Sequence, residues 1–280
     1  MNVIIGRWAA IRHHLFLTVF SFIMLYPVIW WIGASVKSNA ELTLPSLWPR
    51  NPQWSNYSKG WFSLSGVSFT KIFANTFWME IWIVLGAVIT STLVAYGFAR
   101  INFRFKRLWF AVLISTMMLP GQVLIIPQYI LYNKFHFVNT YVPLILPFWF
   151  GGGAFFIFLL IQFIRGIPRE LDEAAKIDGC STYGIYYHII LPLIRPAVVT
   201  VAVFTFLWSW QDFYSQLLYL SSPVKYTIEL ALNMFLEQGW QVEWGQLLAM
   251  SLISIIPSII IFFSAQKYFV EGIVTSGLKG

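Results

Sequence analysis

Long apolar runs separated by short polar stretches dominate the chain. Six of them reach the length of about 20 residues that a helix needs to cross a bilayer. They are Leu15–Val36, Ile72–Ala99, Leu108–Tyr132, Tyr141–Ile164, Pro192–Leu220 and Gly245–Phe269. The pattern predicts an all-α membrane protein with six transmembrane helices in one domain over residues 15–269, flanked by residues 1–14 and a tail, 270–280. Prolines at 120, 127, 143, 147 and 257 lie inside these runs. In a bundle, neighbouring helices and side chains can satisfy the backbone groups a proline frees. The first run is too long for a secretory leader and lacks a small-residue cleavage site, so it reads as a retained helix.

Composition agrees with the pattern. The chain is 58% hydrophobic and 10% charged, against about 25% charged in an average soluble domain, and its mean hydropathy is +0.70. The net charge of +7 is informative only through its placement. One side of the six runs receives Arg7, Arg12, Arg100, Arg104, Lys106, Arg107, Arg165, Arg169, Lys176, Arg195, Lys267 and Lys279. The other receives Lys37, Arg50, Lys59, Lys71, Lys134 and Lys225. Positive residues accumulate on the cytoplasmic side of a membrane. Both termini are therefore expected in the cytoplasm, and "RINFRFKR" (Arg100–Arg107) reads as a topology anchor rather than a nucleic-acid site. The lone cysteine, Cys180, excludes an internal disulfide framework and a multi-cysteine metal site.

Two segments then face outward. Residues 37–71 are rich in Pro, Trp and Tyr, and residues 221–244 carry three glutamates. Their aromatics suit the membrane interface, and they equally suit a docking surface for an outside partner. On the inner side, residues 166–191 hold one dense polar stretch, with five charges in the nine residues Glu170–Asp178. Pro168 fits a first helical position, and Gly179 fits a left-handed stop just past a helix end. Ser181 or Thr182 can cap a second short helix ending at Pro192. The expected element is a helix–turn–helix between the fourth and fifth spans. Leu171, Ala174, Ala175 and Asp178 would share one face, and Asp172 would pair with Lys176 at i,i+4 spacing. Two small side chains between charged flanks admit close approach by another protein, with Glu173 free to accept a bidentate arginine. A wet surface helix of no special purpose has the same composition.

The spacing of this segment resembles a known signature. Glu173-Ala174-Ala175, three residues, Gly179, nine residues and Ile189-Ile190-Leu191-Pro192 are similar to the signature of binding-protein-dependent ABC importer permeases. "SVKSNAEL", Asn56-Tyr57, Asn75-Thr76, "AYGFARINFRFKR", "MMLPGQVLIIPQY" and the tail "QKYFVEGIVTSGLKG" resemble the carbohydrate branch, in particular the shorter permease of the maltose type. The resemblance implies that the segment, with Arg169, Leu171, Glu173, Ala174, Ala175, Asp178, Gly179, Ile189, Leu191 and Pro192, is a coupling helix seated in a cleft of a cytoplasmic ATPase. It further implies a second homologous permease, two ATPase subunits that bind ATP and magnesium, and an extracytoplasmic solute-binding protein. The setting is the bacterial cytoplasmic membrane, and the tail after Phe269 would reach the ATPase interface. An importer for a non-sugar solute, or a self-contained channel, are the competing readings.

The chain itself has no Gly-x4-Gly-Lys-Ser/Thr loop to cradle phosphates, its four histidines show no metal-ligand spacing, and no Ser–His–Asp order stands out. It is not expected to be an enzyme or to carry a cofactor. A route through the membrane should leave a polar stripe, and the fifth run supplies one. Thr205, Ser209, Asp212, Gln216 and Tyr219 recur at spacings of four, three, four and three, and on a continuous helix they share a face. An aspartate at that depth should face protein or water, not lipid. Sugar hydroxyls would suit Asp, Gln and Ser, with Trp208 and Trp210 alongside, and interhelical hydrogen bonds would suit the same residues. Glu80 reads as a gate residue or as an interfacial glutamate reaching for water. Ala87, Ser91, Ala95 and Ala99 form a small-residue seam for close helix packing. Gly151–Gly153 mark a flexible point or a kink in the fourth run.

Overall fold

The computed structural model describes residues 2–63, 66–151, 153–237 and 242–277, with side-chain surroundings over residues 11–268. Among these residues every regular element is a helix. In chain order they are α1 (Asn2–Ser35), α2 (Asn39–Leu42), α3 (Ser55–Phe62), α4 (Phe69–Arg100), α5 (Lys106–Met118), α6 (Gly121–Lys134), α7 (Val142–Trp149) and α8 (Ala154–Arg165). There follow α9 (Glu170–Ile177), α10 (Thr182–Ile185), α11 (Leu191–Leu193), α12 (Arg195–Trp210), α13 (Phe213–Tyr219), α14 (Ile228–Leu236) and α15 (Trp244–Gly277). A π-helical turn, Tyr186–Ile190, joins α10 to α11. The tail's side chains and residues 278–280 lie outside the described residues.

Four stretches are long and apolar enough to cross a membrane: Ile11–Ser35, Phe69–Arg100, Val142–Arg165 and Trp244–Tyr268. They coincide with the first, second, fourth and sixth apolar runs. The third and fifth runs are not single helices. α5 and α6 meet at 101°, and Thr182–Leu193 meets Arg195–Trp210 at 77°; counting each bent pair once gives six spans.

Each break has a local cause. Leu119 precedes Pro120, and the proline ring disfavours helical backbone in the residue before it. Leu119 is accordingly extended (ψ 122°), as is Pro120 (ψ 127°), and a new helix starts at Gly121. Between α7 and α8, Gly151 (φ 134°) and Gly153 (φ 118°) take backbone conformations that side chains rarely allow. In the fifth run α12 stops at Trp210. Asp212 leaves helical geometry (ψ 80°), and its carboxylate accepts the Ser215 N–H at 3.1 Å, capping α13. Thr205 and Tyr219 therefore do not lie on one continuous helix, and the expected polar stripe is interrupted at Gln211–Asp212.

Contacts divide the chain into two units, residues 1–68 with 232–256, and residues 69–231 with 257–280. In the first unit the turn after α1 is closed around a buried lysine. Lys37 is fully buried and donates to the Ser46 carbonyl. Asn56 Nδ2 donates to the carbonyls of Ser35 (3.0 Å) and Lys37 (2.9 Å), and Ser35 Oγ meets the Tyr57 hydroxyl at 2.8 Å. A Cβ on Gly245, at the start of α15, would lie 2.3 Å from Asn56 Nδ2. "SVKSNAEL" and Asn56-Tyr57 are thus halves of one knot.

The second unit is built on α4, which packs against α8, α12 and α7. Ala87, Ser91, Ala95 and Ala99 are all buried. Ala95 and Ala99 share a cluster with Phe156, Ile157, Leu160, Ile161 and Ile164 of α8 and with Ala197 and Val201 of α12. The small-residue seam thus packs within this chain, where short side chains let the large aliphatics of α8 approach the α4 backbone. Just before Ala87, Gly86 makes a notch for Trp149: a Cβ there would stand 2.6 Å from the indole ring, which Trp149 Nε1 pins by donating to the Trp82 carbonyl (3.0 Å). Gly86→Val should therefore cost about 1–3 kcal/mol through overpacking. Gly97→Ala, with nothing within 4 Å of its Cβ position, should leave the thermal unfolding midpoint in detergent unchanged or raised.

Candidate functional site

Two polar constellations stand out in the second unit, one at each end of α4. At the Arg100 end lies the segment from Pro168 to Leu193. Its first helix, α9, begins at Glu170 with Arg169 at the cap, so Pro168 sits two residues before the first helical position expected for it. Glu170, Asp172 and Glu173 occupy the first turn, where carboxylates complement the helix dipole. The helix ends in paired bonds from Gly179 N–H to the Lys176 carbonyl (3.0 Å) and from Cys180 N–H to the Ala175 carbonyl (2.9 Å). This closure requires a left-handed residue just past the end, and Gly179 supplies it at φ 85°. Ser181 then caps α10, its Oγ accepting the Gly184 N–H at 3.1 Å.

The faces of α9 differ from the expected ones. Asp172 does not turn to Lys176; its Oδ2 lies 2.9 Å from Arg100 Nε, with the two side chains 12% and 5% exposed. The partner comes from α4 because α9 sits at the Arg100 end of that helix, with residue 172 buried while Lys176 stays in solvent. The two alanines also separate. Ala175 is buried in the unit's own core with Ile185 and Ile190, whereas Ala174, Glu173 and Asp178 are exposed. Ile189 and Leu191 are partly buried, while Arg169 and Pro192 are exposed. Large apolar side chains also stand in solvent on this charged segment: Leu171, Tyr187 and, above all, Ile177 (87% exposed) and Tyr183 (80%).

At the Asn75 end, the residues of the expected polar stripe are held inside the protein. Thr205, Ser209, Gln216 and Tyr219 are all buried, and Asp212 is half-buried at the helix break. Ser209 Oγ lies within hydrogen-bonding distance of Glu80 Oε2 and of the Thr205 carbonyl (2.7 Å). Gln216 Nε2 donates to the Ser209 carbonyl at 3.2 Å, and Thr227 Oγ1 donates to Gln216 Oε1. Ile228 N–H donates to Thr76 Oγ1 (3.1 Å), and Asn75 Nδ2 donates to the carbonyls of Val224 (2.8 Å) and Tyr226 (3.0 Å). Glu80 is 1% exposed, so it neither reaches for water nor lines an opening. It ties α4 to the last turn of α12, just before the break.

Sequence reading missed Thr92, Tyr96 and Arg100 as site residues, taking Arg100 for an orientation charge. Their spacing of four was the available signal. It places all three on one helix face, beside the small-residue seam.

Residues 87–274 match the family described as binding-protein-dependent transport system inner membrane component. The chain is 32% identical over 274 residues to a putative ABC transporter permease protein of Caldicellulosiruptor sp. (strain Rt8B.4), covering 96% of each chain. It is 33% identical over 264 residues to the arabinooligosaccharides transport system permease protein AraQ of Halalkalibacterium halodurans, covering 93% of each. The crystal structure of a bacterial ABC transporter involved in the import of the acidic polysaccharide alginate superposes with a TM-score of 0.80 at 23% identity, over 94% of this chain and 97% of that one. That likeness is one of fold.

Ser209→Ala should remove the hydroxyl that Glu80 shares and lower stability by about 1.5–3 kcal/mol. Ser209→Thr, which keeps the hydroxyl, should lose much less. Thermal unfolding of the purified protein in detergent measures both.

Proposed function

The chain belongs to the family of binding-protein-dependent transport system inner membrane components, and from that premise we propose that it is the permease subunit of an ATP-driven importer for an oligosaccharide or related carbohydrate in the bacterial cytoplasmic membrane. Relatives named for arabinooligosaccharide and galactooligosaccharide transport, matching over more than nine-tenths of the chain, support the substrate class. The excess of Lys and Arg on one side of the spans supports cytoplasmic termini. ATP hydrolysis, with magnesium, falls to two partner ATPase subunits. A second permease completes the pathway, and a solute-binding protein outside delivers the sugar.

The observation that carries this reading is the surface of α9 and the turn after it. Ile177, Tyr183 and Tyr187 stand exposed among Glu173, Ala174 and Asp178, and apolar anchors ringed by charge are what a protein-docking surface presents. The anchors would fill a cleft on the ATPase. Glu173 would accept an arginine there, and Ala174 would leave room for close approach. The closing and reopening of an ATPase dimer would then move α9 and expose the pathway alternately to each side. In the pathway itself, Asp212 and its exposed neighbour Gln211, at the break between α12 and α13, are the groups left to meet sugar hydroxyls. Ser209, Gln216 and Tyr219 hold the bundle, with Thr205 lending its backbone carbonyl to Ser209.

Glu173→Arg should reverse the charge offered to the partner and weaken docking by roughly tenfold or more, since each 1.4 kcal/mol is a factor of ten. Gly179→Val should strain the turn by about 1–3 kcal/mol and misalign α10. In membrane vesicles containing the partner chains, both variants should remain inserted, with uptake of a labelled arabinooligosaccharide mixture lost relative to ATP hydrolysis. A crosslink from Ala174→Cys to an ATPase chain should form in the wild-type background. Its absence, together with unchanged uptake in Glu173→Arg, would overturn the docking role.

A further inference from the structure

The last three turns of α4 place Thr92, Tyr96 and Arg100 four residues apart on one face, and each reaches a different point of the docking segment. Thr92 Oγ1 meets the Tyr186 hydroxyl at 2.9 Å, in the turn that follows α10. Tyr96 Oη donates to the Thr182 carbonyl at 2.9 Å, at the start of α10. Arg100 Nη2 donates to the Ile167 carbonyl at 2.8 Å, before α9, and its Nε pairs with Asp172 inside α9. Four contacts from one helix thus bracket the segment at both ends and in the middle.

Arginine suits the last position in a way lysine would not. One guanidinium here serves two acceptors at once, Nη2 by a hydrogen bond to the Ile167 carbonyl and Nε by a close ion pair with Asp172, whereas an ammonium is a point charge on a flexible stem. Because the pair is largely buried, salt screens it little, and beneath it Ala175 joins the core cluster that holds Ala95 and Ala99 of the adjacent α4 face. At its other end α4 is tied through Glu80 and Thr76 to α12 and α14.

We infer that Arg100 is a positioning residue for coupling: with Tyr96 and Thr92 it fixes the docking segment to α4, so that the two move as one body. The inference rests on the docking role of α9 proposed above. Without the link, α9 would still seat in its partner, but its displacement would be absorbed in the connection at Gly166–Arg169 and would not reach α4.

The test uses the whole assembled transporter in proteoliposomes. The exposed Cys180 is replaced by serine, and spin labels are placed at Leu93→Cys on α4 and Lys176→Cys on α9, both exposed positions outside the docking anchors. The wild-type distance distribution should be narrow and the same in the nucleotide-free and vanadate-trapped states. Arg100→Gln should broaden it and cut the stimulation of ATP hydrolysis by the solute-binding protein at least about tenfold, while the ATPase chains still copurify. Arg100→Lys, keeping charge but not the fork, should fall between, and the exchange Arg100→Asp with Asp172→Arg should recover part of the stimulation. A wild-type distance that changes between the two states overturns the proposal, as does unchanged stimulation in Arg100→Gln. Should Arg100→Gln fail to assemble, Asp172→Asn carries the same test with the side-chain shape kept. In every case the Ala174→Cys crosslink to the ATPase is scored in parallel: its loss in the wild type sinks the docking role, whereas its persistence beside unaltered coupling sinks only the role of Arg100.

Discussion

In hydrocarbon an apolar helix gains little by exchanging a lipid neighbour for an apolar helix, so close backbone approach and satisfied polar groups must hold a membrane bundle together. α4 supplies both. Its middle is a row of alanines and a serine against which the large aliphatics of α8 lie, and its ends carry the polar side chains that bind the rest of the second unit. The placement is economical physically: small residues sit where no polar partner is needed, and hydrogen-bonding residues sit where neighbouring helices break.

Those breaks are the second organising feature. An interrupted helix exposes backbone groups that the bilayer cannot satisfy, so it persists only where protein or water can. The break between α12 and α13 is met by Asp212 capping Ser215 and by Gln216 reaching back to the Ser209 carbonyl. The same residues that would have lined a continuous polar face instead satisfy the interruption of that face. This is why the buried part of the fifth run is polar yet closed, with Gln211, Asp212 and Tyr214 among the polar groups left accessible around the break.

How much of this was legible in the sequence depends on the range of each interaction. Spans announced themselves by length, because hydrophobic thickness is a one-dimensional property. The seam at Ala87, Ser91, Ala95 and Ala99 was visible for the same reason, as was the glycine stop at Gly179. Pro120 was visible too, but its effect was misjudged: the bundle did not absorb the proline, and the chain turned by 101° there. The pairing of Asp172 was not legible. Local spacing favoured Lys176, and only the fold could reveal that Asp172 meets Arg100 at the end of α4. Glu80 was misplaced likewise, since burial of a carboxyl depends on a partner 129 residues away. Its proximity to the outer end of a span suggested water instead.

That separation bears on how the protein is made. Asn75, Thr76 and Glu80 find their partners between 129 and 152 residues further along the chain. At roughly 5–20 residues per second of synthesis, the second span waits on the order of ten seconds with an uncompensated carboxyl before Ser209 has emerged from the ribosome. A glutamate left alone in lipid for that interval is costly. The nascent helix must therefore be sheltered, by the insertion machinery or by a wet crevice within it, until the fifth span arrives.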